Sequence, residues 1–392
     1  MTAFLTPEQS AKYAEFQEFA AANVEPFAGE WDRAQKIPDA AVSLLGQAGY
    51  LGAGIPFDYG GKGWDVVTFG LLNEALGRSD SAFTGVLTVQ AMVSTVLLKW
   101  GTDEQRRKWL PPLAKGELIG AFALTEPGRG SDIQSLATEF KLSSGGAGLI
   151  LTGEKKWISC GQFAGVFLVF GKLDQRPLAC LVPRNSNGLE IKPIQDLMGF
   201  RAAGLAQLRF NDVSIPAENV IGKPGFGLSH VAPIGLQFGR ISTACSALGL
   251  LRGCFEESTS YAASRMIGGN RVGELGMIQS LIARMGADLE AARLLCWSAC
   301  RAEDDHVPET FTKTFIAKYF TSRAAVHAAS DAVQIRGASG CHESSPTARY
   351  YRGAKIMEII EGTTQVHEVI LGKGFVHEAV RRGLARRHEA SH

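Results

Sequence analysis

The chain has 392 residues, enough to bury a large core in two or three domains. Its 45% hydrophobic content, 20% charged content and net charge of +1 describe a globular protein and exclude a nucleic-acid-binding footprint. No stretch reaches membrane-spanning length without charge, and the N-terminus lacks the basic-then-apolar order of a signal peptide, so neither a span nor export is expected.

Up to about residue 118 the sequence reads as helices broken by Gly/Pro turns. Apolar residues recur at helical spacing from Ser10 to Ala22, Asp39 is placed to cap a helix through Leu44-Leu45, and Thr102 to Gln105 opens another. The period then changes. Between residues 119 and 224 short β-rich runs (Thr138 to Leu142, Leu149 to Thr152, Val166 to Val169, Leu178 to Val182, Gln207 to Phe210) alternate with Gly, Pro, Asn and Asp. From 225 to 392 the helical period returns. Ile234 to Arg265, Gly276 to Arg301 and Thr310 to Arg336 are each long enough for a bundle, with shorter helices expected after them. Helices, then strands, then helices, without βαβ alternation, argue for an α+β protein and against a doubly wound nucleotide fold.

The seven cysteines are thinly spread and form no Cys-x-x-Cys, so reduced, mostly buried thiols in a cytoplasmic protein are expected. The histidines show no metal-ligand spacing, and no Gly-x-Ser-x-Gly elbow marks a serine hydrolase. The basic cluster Arg381-Arg382 and Arg386-Arg387 reads as a solvated tail.

Three segments could carry chemistry. Thr125-Glu-Pro-Gly-Arg-Gly-Ser-Asp132 is a glycine-rich loop whose backbone N–H groups can approach an anion, although a surface turn has the same composition. Lys156-Trp157-Ile158-Ser159 reads as a strand whose indole could wall a planar cofactor. Ile359-Ile-Glu-Gly-Thr-Thr-Gln365 sets one carboxylate behind two aliphatic residues. Aimed into an apolar cavity, Glu361 would have a raised pKa and act as a proton acceptor; pointing outward, it is an ordinary helix-end glutamate.

Together with Met198-Gly-Phe-Arg201, Pro216 to Gly222, Gly239-Arg240, Asp331 to Gly337 and Tyr351 to Ile356, these segments follow in order along nearly the whole chain. In that order they resemble the acyl-CoA dehydrogenase family of flavoproteins. The resemblance implies an N-terminal α-helical domain (1–118), a middle β-barrel-like domain (119–224) and a C-terminal four-helix bundle (225–392). It implies FAD, contacted by Phe122, Leu124, Thr125, Gly130 and Ser131, with Trp157, Ile158 and Ser159 beside the ring and Thr363 and Gln365 following the base. Arg265, Gln334 and Gly337 match residues that reach the FAD of a neighbouring subunit, which implies a homo-oligomer, a tetramer or dimer. Glu361 would take the α-proton of an acyl thioester, and Ser131, Arg240 and Gly362 would meet the substrate. Gly239 occupies the position from which some branches supply the base.

Two departures stand out. The family's Arg-x-x-Phe-Gly reads Arg265-Met-Ile-Gly-Gly269, with Gly276 in place of a glutamine, and the Asp that often helps bind CoA is Gln237. The C-terminal half looks most like carrier-protein-acting dehydrogenases of polyketide extender-unit (methoxymalonyl or hydroxymalonyl) pathways. The expected partners are thus a carrier-protein or CoA thioester and an electron acceptor such as an electron-transfer flavoprotein or oxygen. A flavin monooxygenase or oxidase on the same fold, which has no use for the base, and a non-catalytic assembly subunit are the competing readings.

Overall fold

In the computed structural model, which describes residues 4–146 and 148–389, six helices precede the strands: α1 (Pro7–Asn23), α2 (Ala28–Ala34), α3 (Asp39–Gln47), α4 (Val66–Ser79), α5 (Thr84–Trp100) and α6 (Asp103–Lys115). Thr6 and Thr102 start α1 and α6 with reciprocal capping boxes to Gln9 and Gln105. Asp39 does not cap α3. It is the first helical residue, and Pro38 holds the cap position without a side-chain hydrogen bond.

The middle segment forms β1 (Gly120–Ala123), β2 (Glu139–Leu142), β3 (Gly148–Ile158), β4 (Val166–Leu173), β5 (Arg176–Pro183), β6 (Leu189–Pro193), β7 (Ala206–Pro216) and β8 (Val220–Ile221). They pair in the order β6-β7-β3-β2-β4-β5-β8, with β1 parallel to β4. The pairing path ends at β6 and β8 rather than closing on itself. β4 is buried on both faces. Phe167 and Val169 join the sheet's own core, while Val166, Leu168 and Phe170 pack with α5, α6 and the start of α7. A strand covered on both sides needs an unbroken apolar run, and Val166 to Phe170 supplies one.

The remaining chain is α7 (Ala232–Ser264), a hairpin of β9 (Met266–Ile267) and β10 (Asn270–Arg271), α8 (Gly276–Asp304), α9 (Thr310–Arg336), α10 (Ala338–Cys341), α11 (Pro346–Met357) and α12 (Thr364–Glu389). The last is 26 residues long where short helices were expected. Arg381 and Arg382 lie exposed on it, so this part of the basic cluster belongs to a helix; side-chain placement at Arg386 and Arg387 lies outside the described residues. The glycines at 268 and 269 both have positive φ and form the turn between β9 and β10.

The segment Gly227–Ser264 is long and apolar enough to cross a membrane by composition, a property the sequence reading did not assign to it. It is instead the central helix of the molecule, with 83% of its most apolar window buried. Buried polar contacts fix its register. Thr84 and Thr88 on α5 meet Ser246 and Ser242 at 2.6 Å, and Ser242 also donates to Asn73 of α4 at 2.7 Å. One core therefore runs from α4 and α5 through α7 into α8 and α9.

Candidate active site

α11 stops at Met357, and the chain turns through Glu358–Gly362 before α12 begins at Thr364, where the Thr363 hydroxyl accepts the N–H of Val366 at 3.3 Å. Glu361 thus lies beyond the helix end, not at it. Its φ is +54°, and Gly362 follows at +98°. A left-handed glutamate costs about 1–2 kcal/mol, so its surroundings must hold it. Three basic side chains do so. Arg240 on α7 donates from Nε to the Glu361 carbonyl at 3.2 Å, and His367 on α12 approaches the same oxygen with Nε2 at 3.3 Å. Lys318 on α9 donates from Nζ to the Gly362 carbonyl at 2.6 Å and to that of Glu358 at 3.4 Å. The Arg240 guanidinium lies 4.4 Å from the centre of the Phe315 ring, which also packs against His367 at 4.6 Å.

The carboxyl group itself lies over α7. A Cβ placed on Gly239 would fall 2.3 Å from Glu361 Oε2 and 3.0 Å from Met92 Sδ, so the carboxylate occupies the room this glycine leaves free. Oε2 has no hydrogen-bond partner among the described residues and is shut off from solvent. Burial pushes the Glu361 carboxyl up to about 7, with Arg240 and Lys318 pulling it back. The exposed-glutamate alternative therefore fails. Burial, reinforced by Lys318, lowers His367 to about 4. A neutral imidazole must then carry its proton on Nε2 to donate to the Glu361 carbonyl, a tautomer assigned from its partners. The backbone N–H of Glu361 has no acceptor among the described residues. An unpartnered carboxylate oxygen and a free N–H donor thus stand on one residue.

The second half of the site is the glycine-rich loop against the Trp157 bulge. Lys156 N–H donates to the Thr125 carbonyl at 2.9 Å, which sets the two segments side by side. Pairing slips between Lys155 and Ile158, and Trp157 takes φ +63°, leaving its indole 47% exposed at the surface. Ile158 is buried in the sheet core and Ser159 is half-buried. Gly130 and Ser131 are exposed, and nothing lies within 4 Å of where a Cβ on Gly128 or Gly130 would sit. An open, glycine-lined loop with hydroxyls beside an exposed indole fits a flavin nucleotide. Phe122 and Leu124 are buried. The Phe122 ring packs on Phe170 and against Gly235.

Glu126 and Lys155, absent from the sequence-derived site, brace this loop. The Glu126 carboxylate accepts the N–H groups of Ala137 (2.7 Å) and Thr138 (3.0 Å) and the Lys155 ammonium (2.9 Å), and Lys155 also donates to the Leu124 carbonyl at 3.0 Å. Despite burial, Lys155 and these hydrogen bonds hold Glu126 down to about 2. Removing one partner of a buried pair leaves an uncompensated charge, at a cost of about 3–5 kcal/mol. Lys155→Met is expected to lower the denaturation midpoint and to release flavin; an unchanged midpoint with full flavin content would show that the loop stands without the pair.

Of the other expected site residues, Arg240, expected on the substrate, donates from Nε to the Glu361 carbonyl. Thr363 is half-buried beside Glu361, and Gln365 is exposed. Arg265, Gln334 and Gly337 are exposed at the far ends of α7 and α9. At a rise of about 1.5 Å per residue, Arg265 is about 38 Å along α7 from Arg240, so it cannot reach this site within one protomer. Gln237 is buried and donates to Glu303 (3.1 Å) and Thr314 (2.8 Å), facing the bundle. Lys318, His367 and Met92 were not singled out from the sequence. For Lys318 the signal was a lysine in phase with Thr314, Thr321, Ser322 and Ala325 on the buried face of a helix.

Residues 6–117, 121–213 and 227–376 match the N-terminal, middle and C-terminal domains of acyl-CoA dehydrogenases. The chain is 34% identical to the mouse mitochondrial short-chain specific acyl-CoA dehydrogenase over 362 residues, 91% of this chain and 87% of that one. It superposes with a TM-score of 0.90 on a glutaryl-CoA dehydrogenase from Mycobacterium smegmatis in complex with FADH2, at 26% identity over 95% of each chain. A likeness to FkbI, described as acting in biosynthesis of a methoxymalonyl extender unit, has a TM-score of 0.84 and 27% identity, covering 93% of this chain and 99% of that one. The chain belongs to the acyl-CoA dehydrogenase family. It is an FAD-dependent oxidoreductase acting on the CH–CH group of acyl thioesters of the acyl-CoA type.

Proposed function

We propose that Glu361 is the proton acceptor of this enzyme and that the substrate is an acyl group on a phosphopantetheine arm, carried by a carrier protein in the assembly of a polyketide extender unit. The observation that carries the first part is the unpartnered Oε2 held over Gly239. An α-proton next to a thioester is too weakly acidic for a carboxylate in water, so the developing enolate oxygen needs donors of its own. The free N–H of Glu361 can provide one while the carboxylate of the same residue removes the proton. Thr125, Gly130, Ser131, Trp157 and Ser159 would hold FAD, which when bound accepts the hydride leaving the β-carbon. Gly362 and Arg240, next to the base, and Ser131, exposed on the loop, are the proposed substrate contacts.

The carrier-protein reading is supported by Gln237. With its amide nitrogen committed to Glu303 and Thr314 and its Oε1 buried, it offers no donor to a nucleotide, and a tethered acyl group presents only the arm. The likeness to FkbI agrees with it. Anaerobic titration of the yellow protein with one acyl group in both forms tests this reading. Bleaching by the carrier-protein thioester at lower concentration than by the CoA thioester is expected; the reverse order would assign the enzyme to free acyl-CoA. An electron-transfer flavoprotein or oxygen is the proposed acceptor. The cytoplasm is the proposed compartment, in keeping with free thiols that are buried except at Cys341.

The same reading makes the enzyme a homo-oligomer. Arg265 lies about 38 Å along α7 from Arg240 and Gln334 about 24 Å along α9 from Lys318, so both lead away from their own Glu361, and both are exposed for a neighbour's flavin. Light scattering of the flavin-loaded protein is expected to give a dimer or tetramer, and a loaded monomer would remove these two residues from the cofactor site.

A further inference from the structure

Lys318 presents a physical problem. Its side chain is fully buried in the middle of α9, yet among the described residues its nitrogen bonds no carboxylate; both its partners are backbone carbonyls. A buried ammonium costs several kcal/mol unless it is well paired, so an apolar residue would serve the core better. Its two partners bracket the base. The Glu358 carbonyl lies three residues before Glu361, and the Gly362 carbonyl immediately after it. Between those two grips the chain makes its left-handed step, φ +54° then +98°.

We propose that Lys318 is a positioning residue for Glu361, clamping both ends of the left-handed turn so that the carboxylate stays over Gly239 and the Glu361 N–H stays clear of internal acceptors. This rests on Glu361 being the proton acceptor. Arg240 and His367 hold only the Glu361 carbonyl, and the Glu358 carbonyl is shared with the Thr364 N–H at 3.1 Å. Among the described residues the Gly362 carbonyl, in the peptide plane that follows, is held by Lys318 alone, and a misplacement of about 1 Å is enough to cost about 10²-fold in rate. The charged and titratable groups around the carboxyl come from four elements: Arg240 on α7, Lys318 on α9, Glu358 in the turn after α11 and His367 on α12. α5 presents Met92. Lys318 acts on the base electrostatically as well, pulling its pKa down, while burial holds the lysine itself to about 7.

The test uses the flavin-loaded enzyme and two variants, Lys318→Met, which removes both the hydrogen bonds and the charge, and Lys318→Gln, which keeps a donor and removes the charge. Each is measured alone and combined with Glu361→Gln, by the rate of anaerobic flavin reduction with an acyl thioester against pH. Lys318→Met is expected to slow reduction by about 10–10²-fold, with flavin content unchanged. The acid limb should move to higher pH, because a cation that favoured the ionised carboxylate is gone. Lys318→Gln should recover part of the rate but keep the shifted limb. In the Glu361→Gln background the lysine substitution should have little further effect, since the group it positions is absent. An equal loss in both backgrounds, an unshifted limb, or loss of soluble flavin-loaded protein in both variants would assign Lys318 to the fold and overturn the proposal. Near wild-type reduction by Glu361→Gln itself would instead overturn the assignment of the base.

Discussion

Replacing Glu361 by glutamine is expected to reduce turnover by about 10³–10⁴-fold, the upper range for a positioned general base. Glutamine keeps the size and a hydrogen-bonding tip but cannot take a proton. The expectation is at the upper end because Gly239 supplies no carboxylate from the other position, and Glu358, the other carboxylate of this turn, is paired with Lys355 at 2.6 Å. Oε2 has no partner whose loss would disturb the fold, so flavin content and oligomer size should be unchanged. Steady-state turnover checks the rate, and the visible spectrum checks cofactor content. A variant with a full flavin spectrum and undiminished turnover would mean that the carboxylate is not in the reaction.

The second large effect is expected from Gly239→Ala. The added methyl would sit 2.3 Å from Oε2 and 2.6 Å from Cδ of Glu361, far inside contact distance. Either the carboxylate swings aside or α7 shifts, and in both cases the base leaves its place. A loss of about 10²-fold in rate is expected. Stability should respond differently. Alanine is favoured over glycine in a helix interior by about 1 kcal/mol, and overpacking takes back about 1–3 kcal/mol. The melting temperature should therefore move by only a few degrees while reduction of the flavin slows strongly. Wild-type kinetics in this variant would show that the carboxylate does not occupy the space above residue 239 during turnover.

The three-part order was legible in the sequence because each part carries its own period, and α9 matched its expected span of Thr310 to Arg336. The length of α12 was not. Gly372 and Gly374 have low helix propensity, and packing of α12 against α9 outweighs it. Trp157 was legible as an indole in a strand but not as a bulged residue with positive φ, since that depends on how β3 pairs with β7. Glu361 was recognised by its motif, and its raised pKa followed from the expected burial. Its left-handed backbone did not, because the three donors that hold it come from α7, α9 and α12, 43 to 121 residues away for Lys318 and Arg240 and six for His367. Long-range contacts of this kind leave no local pattern. For the same reason the sequence did not show that Arg240 donates to the Glu361 carbonyl or that the Phe122 ring packs on Phe170.

The central claim is that Glu361 removes the α-proton of an acyl thioester. Anaerobic mixing of the flavin-loaded enzyme with a thioester deuterated at the α-carbon, monitored through flavin bleaching, addresses it most directly. The account predicts that deuterium slows bleaching in the wild type, and that Glu361→Gln scarcely bleaches with either substrate. Bleaching that is indifferent to α-deuteration and proceeds at wild-type rate in Glu361→Gln would contradict it.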